Sequence, residues 1–253
     1  MKVIDMHTHL WQGSYEKDKK DLLCAMEDYH IDKIYVSGLS HFGNPLPEMV
    51  EEVNREVGLF IRAHPDQVGG YVYVSPEHEN AVDVLRRGIE DQGMDGIKLW
   101  LATFCDDACV DPIVKWSIRY KVPILIHAFH KVGERLTNES TGEHVARLAE
   151  RYPEAKLIMA HLGGNCYHGL PAICDYPNVW VDYSGSLFRG DELSYAIELL
   201  GADRIVHGSD MPGVYLVNLG LALEQAAGES DREKIFHKNI EQLFDRSFSP
   251  KKG

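Results

Sequence analysis

The chain has 253 residues, of which 44% are hydrophobic and 26% charged, as in a soluble globular protein able to bury a core without disulfides. Its 39 acidic and 26 basic side chains give a formal net charge of −13, which disfavours nucleic acids and anionic membranes as partners. The five cysteines are odd in number and irregularly spaced, which argues against a disulfide framework.

Short apolar runs alternate with longer segments of helical periodicity along the chain. Eight of the runs are predicted to be strands: Lys2–Met6, Lys33–Gly38, Val68–Ser75, Gly96–Leu101, Val122–His127, Ala155–His161, Asn178–Tyr183 and Arg204–His207. Strands that are apolar throughout are typical of a parallel sheet covered on both faces.

Helices are predicted between and after these strands: Lys19–His30, Pro47–His64, Asn80–Gln92, Asp111–Tyr120, Thr141–Tyr152, Asp191–Leu200, Leu216–Ala227 and Asp231–Phe244. The segment His168–Tyr176 is less regular. Eight strand-helix units in roughly 250 residues predict an α/β fold of the (β/α)8 TIM barrel type. No linker, low-complexity stretch or block of charge divides the sequence, so we expect a single domain over residues 1–253.

The sequence also gives an expectation for the cellular location of the protein. No window of about 18 uncharged apolar residues is present, so no membrane span is predicted. Met1 and Lys2 lead directly into the first apolar run, which leaves no room for a signal peptide. We therefore expect a cytoplasmic protein that acts on a small molecule, and the sequence leaves open whether it forms a homo-oligomer.

Several predicted strands end in residues that bind metals. Strand one ends in His7 and His9, strand five in His127 and strand six in His161, and Asp210 comes shortly after strand eight. The carboxyl ends of barrel strands carry the active site in this fold. His7 and His9 are two residues apart, so on a strand both would point to the same side. Imidazole and carboxylate ligands together suit a divalent metal, most commonly zinc.

Each of these residues taken alone has a structural alternative. The two early histidines fit a surface or capping role, and His127 fits a hydrogen-bonded core residue. Asp210 could cap the following loop, and Lys98, near the end of strand four, could pair with an acid at the barrel rim. Their joint placement at the ends of strands one, four, five, six and eight favours a metal site.

Five motifs resemble those of the amidohydrolase superfamily. They are Asp5-Met6-His7-Thr8-His9, the strand-five histidine, His161-Leu162-Gly163-Gly164, Gly208-Ser209-Asp210-Met211-Pro212 and the closing stretch from His237 to Phe244. The set is similar in particular to the amidohydrolase-related branch of metal-dependent hydrolases, lactonases, hydratases and non-oxidative decarboxylases. The resemblance spans almost the whole chain and specifies the superfamily rather than a substrate.

The resemblance implies that His7, His9, His127 and Asp210 bind one divalent metal, with His161 beside it. Such a metal lowers the pKa of a coordinated water toward about 7. Asp210 is then expected to accept the proton of that water, and His161 to polarise a substrate carbonyl or act as an acid or base.

Lys98 leaves a second arrangement open. In two-metal members of the superfamily a strand-four lysine is carboxylated and bridges the metals. If Lys98 does this, His161 becomes a ligand of the second metal instead of a free catalytic group. The resemblance is compatible with either one metal or two.

Further residues are candidates for contacts with the substrate: Trp11, Trp100, His130, Arg135 and Arg189. The tryptophans fit packing equally well, and a solvated loop position is the plain alternative for each arginine, which would otherwise hold a substrate carboxylate. Soft metal ligands from Cys105, Cys109 and Cys166 are a minor possibility.

The sequence therefore predicts a metal-dependent hydrolase that cleaves a C–O or C–N bond in a lactone- or amide-like small molecule. The alternative is a metal-dependent decarboxylase or hydratase of a small carboxylic acid. A third reading, a catalytically silent barrel that binds a ligand, is disfavoured because every expected metal ligand is present.

Overall fold

The computed structural model describes residues 1–185, 191–212 and 228–250, and within them eight parallel strands form one sheet in sequence order. The strands are β1 (Ile4–Trp11), β2 (Lys33–Leu39), β3 (Val68–Tyr73), β4 (Gly96–Leu99), β5 (Ile124–Ile126), β6 (Leu157–Met159), β7 (Val179–Asp182) and β8 (Ile205–Val206). The sheet closes into a barrel: the backbone amide of Met6 in β1 donates to the carbonyl of His207, which follows β8, at 3.0 Å. The predicted (β/α)8 barrel is confirmed.

Helices alternate with the strands. They are α1 (Tyr15–Tyr29), α2 (Pro47–Ala63), α3 (Ala81–Glu90), α4 (Asp111–Tyr120), α5 (Gly142–Arg151), α6 (Cys166–Ile173) and α7 (Glu192–Leu200). A closing helical segment comprises Glu229–Glu233, one π turn over Lys234–Lys238, and Asn239–Phe244. The predicted helix Leu216–Ala227 lies outside the described residues.

Two sequence predictions need correction. β1 continues to Trp11 instead of ending with the apolar run at Met6, so His7 and His9 lie within the strand. The continuation was missed because these two polar residues are buried, as are all residues of the strand up to Leu10. The segment His168–Tyr176, predicted to be less regular, overlaps α6 (Cys166–Ile173), which begins after Asn165, whose side chain accepts a hydrogen bond from a first-turn backbone amide. Pro171 inside that helix obscured its periodicity.

The barrel interior is filled by a compact set of side chains. Its members are Ile4, Met6, Tyr35, Tyr71, Leu125, Ile158, Ala160, Trp180 and Val206, together with Ile240 and Leu243 of the closing helical segment. Large rings are accommodated by glycines, since a Cβ on Gly69 would lie 2.4 Å from the ring of Tyr35 and one on Gly96 would lie 2.6 Å from that of Tyr71. This filling makes the barrel a packed core, so polar chemistry is displaced toward the carboxyl ends of the strands.

Among the described helices, none combines the length and the apolar character needed to cross a membrane.

Asn54 of α2 forms two hydrogen bonds with the backbone at the end of β3. Its side chain donates to the carbonyl of Tyr73 and accepts from the Tyr73 amide, both at 2.8 Å, and Asn54 is buried. We expect Asn54→Ala to lower the free energy of unfolding by about 2–4 kcal/mol, because two buried backbone groups lose their partners. Urea denaturation of this variant beside Arg55→Ala, whose side chain is 62% exposed, measures the effect. Equal losses in both variants would contradict the role given to Asn54.

Candidate metal centre

Four histidines and one aspartate meet at the carboxyl end of the barrel. Asp210 Oδ1 lies 2.8 Å from His9 Nε2 and 3.6 Å from His7 Nε2. His127 Nδ1 lies 3.2 Å from His161 Nε2. One donor atom each from His7, His161 and Asp210 lies within 4.8 Å of the others. This set of nitrogen and oxygen donors fits a single divalent transition metal.

The two β1 histidines are each held from outside by their Nδ1 atoms. His7 Nδ1 lies 2.9 Å from Asp182 Oδ2, and His9 Nδ1 lies 2.8 Å from Ser37 Oγ. An ionised carboxylate only accepts hydrogen bonds, so Asp182 requires the proton of neutral His7 to sit on Nδ1. The Nε2 lone pair of His7 therefore faces the centre.

The other two histidines follow the same scheme. His161 Nδ1 lies 3.1 Å from the carbonyl oxygen of Ser184, which requires a proton on Nδ1 and leaves the Nε2 lone pair toward the centre. His127 is held through Nε2, which lies 3.2 Å from Glu139 Oε1, and it presents Nδ1 inward. Outer partners that fix the tautomer of a ligating histidine are the usual arrangement around protein-bound metals.

The protonation states suit metal binding. Burial lowers the pKa of His7 to about 3 and that of His127 to about 4, and it also lowers the pKa of His9, so these imidazoles are neutral near pH 7. Burial alone would raise the pKa of Asp210, but its contact with His9 and the other neighbouring imidazoles hold this pKa well below its usual range. Neutral histidine and ionised aspartate are the forms that coordinate a cation.

Asp182, at the end of β7, is a functional residue that the sequence reasoning missed. Besides His7, it accepts hydrogen bonds at 2.9 Å from the backbone amides of His161 and Ser184, and it is completely buried. Burial favours the neutral acid, but the interactions with His7 outweigh it and keep the pKa of Asp182 below its usual range. A search of every predicted strand end for carboxylates would have found it, because β7 was predicted to contain it.

The backbone is strained where two of the site residues lie. His161 and Leu162 have φ values of 61° and 50°, and Asp210 has a φ of 67°, all in the left-handed region that side chains seldom adopt. Each such residue costs about 1–3 kcal/mol, and residues of this kind cluster at functional sites. The amide of Asp210 donates to the carbonyl of His7 at 2.8 Å, which holds the turn after β8 against β1.

Lys98 points into the same centre from β4. Its Nζ lies 3.0 Å from His7 Nε2, and the residue is 1% exposed. Burial lowers the pKa of Lys98 to about 8, although the carboxylates of Asp210 and Asp182 favour its charged form. Carboxylation of Lys98 and a second metal stay predictions.

Aromatic side chains line one side of the centre. The Trp11 ring lies 5.9 Å from that of His9 and 5.6 Å from that of Trp100. Phe42, in the loop after β2, lies 5.3 Å from the Trp100 ring and is 63% exposed. We call Trp11, Trp100 and Phe42 the aromatic wall. Its tryptophans were candidates for substrate contacts in the sequence, with packing as the alternative, and Phe42 was not a candidate.

The remaining candidates lie farther out or elsewhere. The His130 ring stacks on that of His168 at 4.3 Å, and its Nδ1 is buried with no hydrogen-bond partner among the described residues. Arg135 is exposed on the loop between β5 and α5, and Arg189 lies outside the described residues. Burial raises the pKa of Cys105 to about 12, which keeps this thiol protonated and unsuited to bind a metal.

Comparison with known proteins places the sequence in a family. Residues 4–246 match the amidohydrolase family model. None of the curated proteins matches the sequence significantly.

Several solved structures share the fold at low identity. A 2,6-dihydroxybenzoate decarboxylase from Rhizobium is 17% identical with a TM-score of 0.76, over 98% of this chain and 100% of that one. A dihydroxybenzoic acid decarboxylase from Polaromonas, with bound manganese and the inhibitor 2-nitroresorcinol, is 18% identical with a TM-score of 0.76, over 98% of each chain. A 4-oxalomesaconate hydratase from Rhodopseudomonas palustris is 15% identical with a TM-score of 0.71, over 97% of this chain and 96% of that one. Since the family model covers nearly all of the sequence, this chain belongs to the amidohydrolase family.

Proposed function

We propose that this chain is a metal-dependent enzyme that holds one divalent ion through His7, His9, His127 and Asp210. The observation that carries the proposal is the orientation of these three histidines, each of which has one ring nitrogen held by an outer partner and the other directed at the centre. Three neutral imidazoles and one carboxylate suit zinc, and the manganese in the Polaromonas decarboxylase makes manganese the second candidate.

We further propose that the reaction is the non-oxidative decarboxylation of a small, planar carboxylic acid. Within the aromatic wall, Trp11 beside His9 is partly exposed and Phe42 is 63% exposed, so their flat apolar faces are available for an unsaturated ring or chain to stack on. The buried amine of Lys98 offers a cation for an acidic substrate. The names of the similar decarboxylases point to the same chemistry.

A bound divalent ion would supply Lewis-acid polarisation of a substrate oxygen. The chain's own residues would do the rest. The aromatic wall orients the substrate, and the bond between its carboxyl carbon and the neighbouring carbon breaks to release CO2, with the electron pair staying on the substrate. His161, whose Nδ1 proton is held by the Ser184 carbonyl, directs Nε2 at the centre, where this nitrogen would take up a proton from solvent and then deliver it to that carbon.

Hydrolysis of a lactone or amide is the second candidate function. It is favoured by Asp210, which is held ionised at the centre, 2.8 Å from His9 Nε2, and can accept the proton of an attacking water. Decarboxylation and hydrolysis would use the same ligands, so the products distinguish the two reactions.

The test begins with elemental analysis of protein purified without chelators or a metal-affinity tag. We expect about one equivalent of zinc or manganese per chain, and a fall in activity of at least ~100-fold after chelation, restored by adding the ion back. CO2 release from hydroxylated aromatic acids would support decarboxylation, whereas acid release from lactones or amides would favour hydrolysis. Protein that takes up no divalent ion on titration would refute the proposed metal centre.

A further inference from the structure

The loop between β5 and α5 carries a buried carboxylate. Its two ends are tied by the backbone amide of Phe129, which donates to the carbonyl of Ser140 at 2.7 Å. Val132 and Arg135 in this loop are exposed, yet the side chain of Glu139 is only 1% exposed. A charged group is removed from water in this way only where partners compensate for the lost hydration.

Glu139 has partners both within its own loop and at the centre. Oε1 lies 3.2 Å from His127 Nε2 and 2.9 Å from Lys131 Nζ, while Oε2 accepts from the backbone amide of Leu136 at 3.4 Å. Lys131 and Leu136 belong to the same loop, so their contacts hold the loop together. The contact with His127 instead joins the loop to the centre.

The contact determines which nitrogen of His127 faces inward. Because the Glu139 carboxylate only accepts, the proton of neutral His127 sits on Nε2. The lone pair is then on Nδ1, which points toward His161 Nε2 at 3.2 Å. The reverse tautomer would place a lone pair against the carboxylate and a proton toward the centre, where it would block coordination.

We propose that Glu139 is a positioning residue that fixes the orientation and tautomer of His127 and thereby sets the metal affinity of the centre. This inference rests on the proposed metal site. Lys131 Nζ and His127 Nε2 both contact Oε1 of Glu139. The ammonium group of Lys131 therefore weakens the interaction of this oxygen with His127. The loop thus acts on the ion through a carboxylate that does not itself touch the substrate.

Three variants separate this role from simple loop packing. Glu139→Gln keeps the volume but weakens the acceptor for His127, and we expect its dissociation constant for zinc to rise about 10–100-fold. Lys131→Met also removes the ion pair of the loop but leaves Glu139 on His127, so its affinity should equal or exceed that of the wild type. Glu134→Gln alters an exposed glutamate of the same loop and is the matched control.

Dissociation constants are measured by competition with a chromophoric chelator, and the visible spectrum of the cobalt-loaded protein reports the ligand geometry. A changed cobalt spectrum in Glu139→Gln alone would support the proposal. Equal loss of affinity in Glu139→Gln and Lys131→Met would overturn it, since loop packing would then be the cause. Wild-type affinity and an unchanged spectrum in Glu139→Gln would also overturn it while leaving the metal site intact. A wild-type protein that binds no ion would remove both the site and this role.

Discussion

Replacing Asp210 with asparagine is expected to strip the ion from the centre and to lower kcat/KM on the order of 10³-fold. Asp210 is the only carboxylate among the proposed ligands, and its Oδ1 lies within 3.6 Å of both β1 histidines. A neutral amide keeps the shape of the side chain but removes the negative charge that offsets a divalent cation. Metal content by elemental analysis and steady-state kinetics on the same preparation measure the two losses.

The control for Asp210→Asn is Asp203→Asn, which makes the same change at a side chain that is 73% exposed and paired only with Lys234 among the residues the structure describes. We expect it to keep its metal and its activity. The proposed ligand role of Asp210 would be wrong if Asp210→Asn retained a full equivalent of ion with an unchanged dissociation constant.

Asp182→Asn is expected to destabilise the fold and to weaken the metal centre together. Oδ2 of Asp182 accepts from His7, and Oδ1 accepts from the backbone amides of His161 and Ser184. An asparagine accepts on one side only, so in either orientation its NH2 group would face a buried donor. Disturbing a buried charged partner in this way costs about 3–5 kcal/mol, and loss of an outer partner of a ligand weakens metal binding about 10–100-fold.

Chemical denaturation of the metal-free protein isolates the stability loss, and chelator competition isolates the loss of affinity. Asp203→Asn again gives the baseline for a surface amide substitution. A variant that lost stability but kept its affinity would make Asp182 a structural residue of β7 without influence on His7.

The fold was predictable because its strands are apolar throughout. The eight runs fell on the eight observed strands, since a strand covered on both faces needs apolar residues at every position. The predicted β1 stopped early because His7 and His9 are buried polar residues, a combination that hydrophobic periodicity does not register. The residues that converge at the centre were found because strand ends meet at one rim in a barrel.

The residues that hydrogen-bond to the histidines from outside the centre could not be predicted from hydrophobic periodicity or from strand ends. Glu139 lies on a loop, where no periodicity relates it to His127. Ser37 is one of many serines and becomes informative only when its hydroxyl is seen 2.8 Å from His9. Asp182 was within reach of the strand-end argument, but its role depends on contacts with β1 and on the turn after β6, which only the folded chain brings together.

The closure of the barrel between its first and last strands has a consequence for biosynthesis. Met6 pairs with His207, and the amide of Asp210 bonds to the carbonyl of His7, so the first and the last proposed ligands meet only when β8 has joined β1. A ribosome releases His7 and His9 long before it has made Asp210. A nascent chain thus exposes two imidazoles without their carboxylate. Stable capture of the ion would then wait until β8 has been synthesised and has joined β1.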